Sequence, residues 1–215
     1  MKPYDDRGEA GRVLGDAVAA EVRAQGDLLV LGLPRGGVPV AAEVAQRLGA
    51  PLDVLVVRKL GVPGHEELAM GAIASGGAEF VDLSLVERLG VSAEAVARVM
   101  QREHAELARR EAAYRGDRPP LDLRGRTVVL VDDGLATGSS MRAAVQAVRA
   151  AGATVVVVAV PVAPPEAIAK LSGVADAVIC PLVPSWFHAV GSWYLDFEQT
   201  GDAEVEDLLA KQPWR

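Results

Sequence analysis

Val128-Val129-Leu130-Val131-Asp132-Asp133-Gly134-Leu135-Ala136-Thr137-Gly138-Ser139-Ser140 decides the fold. Four apolar residues in a row read as a strand buried on both faces. Two carboxylates follow where the strand ends, and both are expected to face solvent there. A loop of small residues then opens a helix expected over Gly138–Ala150. In open parallel sheets, ligands bind outside such strand ends. Gly134 and Gly138 let the backbone turn sharply and approach a ligand closely. Amides from Leu135 to Ser140 can converge on one anion at the positive end of the helix. Thr137, Ser139 and Ser140 add hydroxyl donors. Asp132 and Asp133 repel a phosphate but accept from sugar hydroxyls. The order therefore describes a phosphate beside a diol, as in a ribose 5-phosphate. Any one element is common, and a strand ending in a turn before a capped helix needs no ligand; the ordered set is what carries the reading.

Upstream, a helix is expected over Gly8–Ala24. A short apolar strand, Leu28–Leu33, then ends at Leu33-Pro34-Arg35-Gly36-Gly37. Two glycines and an arginine at the start of the next helix, Val38–Leu48, suit an anion. Leu52–Val57 reads as a strand ending at Arg58-Lys59. Arg58–Gly77 reads as irregular chain with five glycines, in which Met70–Ala74 and Glu79–Val81 pair as a hairpin across Ser75-Gly76-Gly77. His65-Glu66-Glu67 lacks the second histidine of a zinc-protease helix and reads as solvated loop. Helices are expected over Ser84–Leu89 and Ser92–Tyr114. A polar connector containing Pro119-Pro120 precedes the quoted strand. Downstream come a strand at Thr154–Val160, a helix at Pro164–Leu171 and a strand at Ala177–Cys180. Alternating strands and helices give an α/β fold: a mainly parallel sheet with helices on both faces. The whole, 1–215, reads as one domain with a helical insertion at about 84–115 and a small C-terminal hood at about 181–215.

The segment 128–140 resembles the signature of the type I phosphoribosyltransferases, and Leu33–Gly37 looks like that family's pyrophosphate loop. The resemblance implies that 5-phosphoribosyl 1-pyrophosphate (PRPP) is bound. Asp132 and Asp133 would hold the ribose hydroxyls, Ala136, Thr137, Gly138, Ser139 and Ser140 the 5-phosphate, and Arg35, Gly36 and Gly37 the pyrophosphate. Arg58 and Lys59, beside what is a mobile lid in the family, are the candidate catalytic cations, with two solvated charges as the plain alternative. Mg2+ is expected through substrate oxygens and water rather than a protein cage. The implied activity is phosphoribosyl transfer to a nitrogen nucleophile, a nucleobase among the candidates, in nucleotide metabolism. A non-catalytic PRPP-binding regulator is the alternative.

The family places a base-binding hood near its chain ends, and six of the nine aromatics fall after residue 185. Phe187 and Trp193 are thus candidates to stack on a base, with Asp196 completing the hood; a small satellite core is the equal alternative. The chain departs from the 6-oxopurine enzymes: Ala136 stands where they carry an acid, and Pro161-Val162 about where they carry a lysine. The acceptor stays open. The 84–115 helices are expected to cover the site, to pair subunits in a homodimer, or to pack on one side.

Composition bounds the rest. Twenty-two Lys and Arg against 29 Asp and Glu give a net charge of −7, which argues against a general nucleic-acid coat. One cysteine, Cys180, rules out an internal disulfide and a Cys-rich zinc site. No signal peptide or membrane-length apolar run is seen, so a cytoplasmic protein is expected. The spacings of P-loop kinases, dinucleotide-binding folds and α/β-hydrolases are missing.

Overall fold

The structure, a computed structural model, describes residues 3–22, 27–116 and 118–211. The elements run α1 (Arg7–Glu21), β1 (Leu28–Gly32), α2 (Gly37–Leu48), β2 (Leu52–Val54), β3 (Val57–Val62), β4 (His65–Ala74) and β5 (Ala78–Val81). Then come α3 (Leu83–Arg88), α4 (Ala93–Arg115), β6 (Thr127–Val131), α5 (Ser139–Ala150), β7 (Val155–Ala159), α6 (Pro165–Ser172), β8 (Ala177–Ile179) and α7 (Asp202–Ala210). The end of the first expected helix, Arg23-Ala24, lies outside the described residues, as does Trp214.

Five parallel strands form the main sheet in the order β2-β1-β6-β7-β8. Side chains alternate across a strand, and the core splits accordingly. Val128 and Leu130 join Met141, Ala144 and Val148 of α5 and Leu171 of α6 on one face. Val129 and Val131 join Leu14 and Val18 of α1, Val40 and Val44 of α2 and Leu209 of α7 on the other. Both faces are covered, which is why the strands read as unbroken apolar runs.

From β1 the chain passes through α2 to β2 on one side; from β6 it passes through α5 to β7 on the other. These connections lie on opposite faces, so β1 and β6 flank a switch point. Gly32 pairs with Val131 in register, and the Leu33 amide donates to the Val131 carbonyl at 2.9 Å. The two loops of interest therefore leave the sheet side by side, above the crevice where such folds bind ligands.

Two expectations are corrected. Leu52–Val57 is not one strand: β2 stops at Val54, and the chain bends through Leu55-Val56 into β3. Leu55 N donates to Gly32 O, whereas Val56 N is taken by the Ser75 hydroxyl at 3.0 Å. Nor is Arg58–Gly77 irregular. It forms the antiparallel pair β3–β4, with register shifts at Leu60, Gly61 and Val62, and the expected hairpin extends it to a three-stranded sheet, β3-β4-β5. Two of the glycines serve close strand packing: a Cβ on Gly71 would lie 2.3 Å from the Phe80 carbonyl oxygen, and one on Gly61 2.8 Å from that of Glu66, whereas Gly64, Gly76 and Gly77 take left-handed turn conformations. Leu60, Met70 and Ile73 of this small sheet pack with Val99 and Leu107 of α4.

The buried end of α4 is tied to β2 by charge. Arg115 donates to both oxygens of Asp53 at 3.2 and 3.0 Å, and Asp53 is fully buried. Removing one partner leaves an uncompensated buried charge. Asp53→Ala is therefore expected to cost about 3–5 kcal/mol, measured as a loss of denaturant stability; an unchanged midpoint would show that the helix end is held by other contacts.

Candidate functional site

Asp132 and Asp133 emerge from β6 half-buried, not facing open solvent as the sequence implied. The Asp133 amide donates to Oδ1 of Asp132 at 2.9 Å. Burial, and after it the neighbouring Asp133 charge, pushes the Asp132 carboxyl well above the ordinary carboxylate value. Burial also raises Asp133, against the lowering pull of Arg7. Arg7 reaches Asp133 Oδ2 from α1 through two nitrogens, each at 2.9 Å. The same guanidinium donates to the Glu198 carbonyl at 2.7 Å and lies 4.0 Å from the centre of the Phe197 ring. Tyr194 donates its hydroxyl to the Asp133 carbonyl oxygen at 2.5 Å. A clasp of the two chain ends thus fixes the acid pair, closed by the Tyr4–Tyr194 bridge.

Gly36 and Gly37 lie against the acids. Gly36 has an ordinary φ of −60°, so conformation does not demand glycine there. Space does: a Cβ on Gly36 would lie 2.1 Å from Asp133 Oδ2, and one on Gly37 2.7 Å from the Val131 carbonyl oxygen and 2.8 Å from the Asp132 Cα. The latter two are backbone atoms that cannot swing aside. Gly37→Ala is expected to lose about 1–3 kcal/mol through overpacking, seen as a lower Tm; full stability would mean that the strand ends are not in contact. The Pro34–Arg35 peptide is cis. The Gly37 amide is already bonded to the Leu33 carbonyl. Arg35 faces the Asp202 carboxylate at 3.6 Å.

The phosphate-loop candidates sit at the start of α5. Gly138, at the N-cap, takes a left-handed conformation, φ 73°, and has no side chain to cap the helix; the Ser139 amide makes only a long contact of 3.4 Å to the Thr137 hydroxyl, which leaves the positive end of the helix dipole open to an anion. Thr137, Ser139 and Ser140 are exposed. With Asp132, Gly134, Met141 and Val190, this loop borders a cavity of about 250 Å³. A second cavity, of about 300 Å³, shares Asp132 and Ser140; Leu33, Pro34, Arg58, Lys59 and Arg110 also border it. The acid thus stands between a hydroxyl-rich pocket and a cationic one.

The two candidate cations behave differently. Arg58 gives Nε and an NH2 group to Glu103 of α4 at 2.8 and 2.6 Å, so it secures the helix while bordering the cavity. Lys59, next along β3, borders two cavities. Phe187 and Trp193, both half-buried, pack against the cluster of Tyr4, Val162, Leu182 and Tyr194, as a satellite core would. Val190 borders the cavity instead. Asp196 is exposed and accepts from the Glu198 amide. Cys180 is half-buried, and burial lifts its thiol to about 11, so it is not a reactive group at neutral pH.

Sequence reasoning missed Arg7 and Arg110. Arg7 meets Asp133 across 126 positions, and Arg110 lies in a helix whose charges read as a solvated face. Neither has a local signal.

The fold is that of an open α/β protein whose switch point lies between β1 and β6. The family model described as the phosphoribosyl transferase domain matches residues 6–198. Two relatives from Mycobacterium tuberculosis, "Putative phosphoribosyl transferase MT0597" of strain CDC 1551 and "Putative phosphoribosyl transferase Rv0571c" of strain H37Rv, are each 49% identical over 209 residues. These matches cover 97% of this chain and 47% of each relative, so the chain spans about half their length. The crystal structure of TT1426 from Thermus thermophilus is 44% identical, with a TM-score of 0.90 and 99% of both chains covered. The chain belongs to the phosphoribosyl transferase family. Among the described residues, no helix is long and apolar enough to cross a membrane.

Proposed function

We propose that the chain binds PRPP and transfers its phosphoribosyl group to a nitrogen nucleophile, releasing pyrophosphate. One observation carries this: Asp132 stands where the small-residue loop's cavity meets the cavity bordered by Arg58, Lys59 and Arg110. PRPP has the same order, with a phosphate at one end, a diol in the middle and a pyrophosphate at the other. The loop amides and hydroxyls of Thr137–Ser140 would bind the 5-phosphate. Asp132 would accept from the ribose diol, and Asp133 would stay beside it under Arg7. Lys59 would face the pyrophosphate, with Arg58 partly committed to Glu103 and Arg110 to Glu106.

In the transfer, the bond from the anomeric carbon to the pyrophosphate oxygen breaks and a bond to the acceptor nitrogen forms. The nitrogen gives up its proton, and the bond electrons leave with pyrophosphate. The chain's part is orientation of the two partners and stabilisation of the leaving charge. Among the described residues, no group of three or more His, Cys, Asp or Glu is placed to hold a metal ion. The acid pair at the crevice fits Mg2+ carried mainly by pyrophosphate oxygens and water, where it would neutralise the leaving group.

Pyrophosphate release measured with PRPP, Mg2+ and a panel of nucleobases tests the reading. Release that depends on one acceptor and on Asp132 is expected. A second reading, a PRPP-binding regulator without turnover, draws support from the packing of Phe187 and Trp193 against the satellite core, which engages one side of both proposed stacking rings. Saturable PRPP binding with no release for any acceptor would select it.

A further inference from the structure

Arg35 follows Leu33 and Pro34, which border the cavity below Asp132 together with Arg58, Lys59 and Arg110. Arg35 itself is not among the described residues that border it. Its guanidinium turns instead to α7, where Nη1 stands 3.6 Å from Oδ1 of Asp202. That same oxygen accepts the Tyr114 hydroxyl of α4 at 3.1 Å. Burial, and after it the bond to Asp202, raises the Tyr114 hydroxyl, so Tyr114 stays a donor and keeps the carboxylate in place. Arg110 lies one turn before Tyr114 on α4, so a single helix serves both the cavity and the carboxylate. Asp202 has a plainer use as well. It stands in the first turn of α7 with Glu204, where acids suit the positive end of the helix. That use needs neither the loop arginine nor the tyrosine. The loop backbone is tied down, since the Gly37 amide donates to the Leu33 carbonyl and the Val38 amide to the Arg35 carbonyl, each at 3.1 Å. Bringing the guanidinium from Asp202 to the cavity is therefore a change of side-chain torsions.

We propose that Asp202 is a positioning residue that holds Arg35 outside the cavity until a pyrophosphate group draws it in. The inference rests on the PRPP reading of the site. The exchange is favourable because pyrophosphate offers the guanidinium fork several charged oxygens against one carboxylate. It is reversible because an ion pair between partly exposed groups is weak. Binding the pyrophosphate end thus breaks the Arg35–Asp202 pair. Ribose 5-phosphate, which does not call on Arg35, leaves the pair intact. Asp202 competes with bound pyrophosphate for Arg35, so it lowers the affinity for that end and hastens its release.

Pyrophosphate with Mg2+, ribose 5-phosphate and PRPP, titrated separately by calorimetry, test the proposal. The proteins are wild type, Asp202→Asn, Asp202→Glu, Arg35→Ala and Arg35→Ala with Asp202→Asn. Asp202 is exposed, so its substitution leaves the core intact. Asp202→Asn is expected to tighten pyrophosphate and PRPP by roughly two- to fivefold and to leave ribose 5-phosphate unchanged. Asp202→Glu is expected to keep wild-type values. In the Arg35→Ala background, Asp202→Asn is expected to change nothing, since the cycle isolates the pair. Pyrophosphate affinity that does not rise in Asp202→Asn, or that rises equally without Arg35, overturns the role of Asp202; so does an equal rise for ribose 5-phosphate. Failure of the PRPP reading shows elsewhere: PRPP affinity left intact by Asp132→Asn overturns that reading, while the pyrophosphate titrations, which involve no ribose, still decide on Asp202.

Discussion

Asp132→Asn is expected to weaken PRPP binding on the order of 100-fold while raising the melting temperature at neutral pH. Both effects follow from one geometry. The carboxylate's Oδ1 accepts the Asp133 amide, a bond that an asparagine oxygen keeps, so the turn survives. What is lost is a charged acceptor for the sugar hydroxyls, and hydrogen bonds to charged groups are the stronger kind. Stability moves the other way. The folded protein holds the Asp132 proton more tightly than the unfolded chain does, because burial and Asp133 raise its value from 3.8. A group raised on folding gives stability that falls as pH climbs from the unfolded value through the folded one. On the way to neutral pH the wild type loses stability over the whole interval it crosses between the two values, whereas the neutral amide never bears the charge. The variant's advantage should therefore shrink on acidification toward the ordinary carboxylate range. Calorimetric titration and thermal scans at several pH values check both halves. Intact PRPP affinity would remove the diol role; a lower melting temperature at pH 7 would remove the buried-charge argument.

That trade of stability for binding marks what a sequence can and cannot disclose. The parallel sheet was readable because strands buried on both faces must be apolar throughout, as Val155–Ala159 is. The acid pair and the small-residue loop were readable because they are contiguous. The three-stranded sheet was not: its glycines and its shifted register imitate loop, and the antiparallel pairing of β3 with β4 goes with packing on α4. Phe187 and Trp193 carry equal arguments for stacking and for core in the sequence, which does not show that Tyr4, far away in the chain, packs with them. The acids themselves looked solvent-facing, since nothing near them in sequence announces Gly36 pressing on one and Arg7 holding it. Partners brought together across more than a hundred residues leave no periodic trace at either end.

Arg7 gives the second large effect. Arg7→Met should lower stability by about 3 kcal/mol, since it strands the half-buried Asp133 carboxylate; for a chain of this size that is a fall of roughly 6–12 °C in Tm. The more specific consequence concerns pH. Burial pushes both acids up, and the Arg7 guanidinium is the charge that pulls both back down. Tyr194 does not compete as a base, because burial drives its hydroxyl far above the usual range and keeps it a donor to the Asp133 carbonyl. If the acids accept from ribose hydroxyls as carboxylates, PRPP affinity must fall as pH drops through their raised values. Without Arg7 that fall should begin at higher pH. PRPP's own phosphates titrate near pH 6 as well, but they do so identically for every variant, so the displacement between variants belongs to the protein. Arg7→Lys restores the positive charge without the fork that also reaches the Glu198 carbonyl and covers Phe197. It should move the pH limb back toward wild type while recovering only part of the stability. A limb that stays in place in Arg7→Met, despite the lower Tm, would make Arg7 a staple between the chain ends and nothing more.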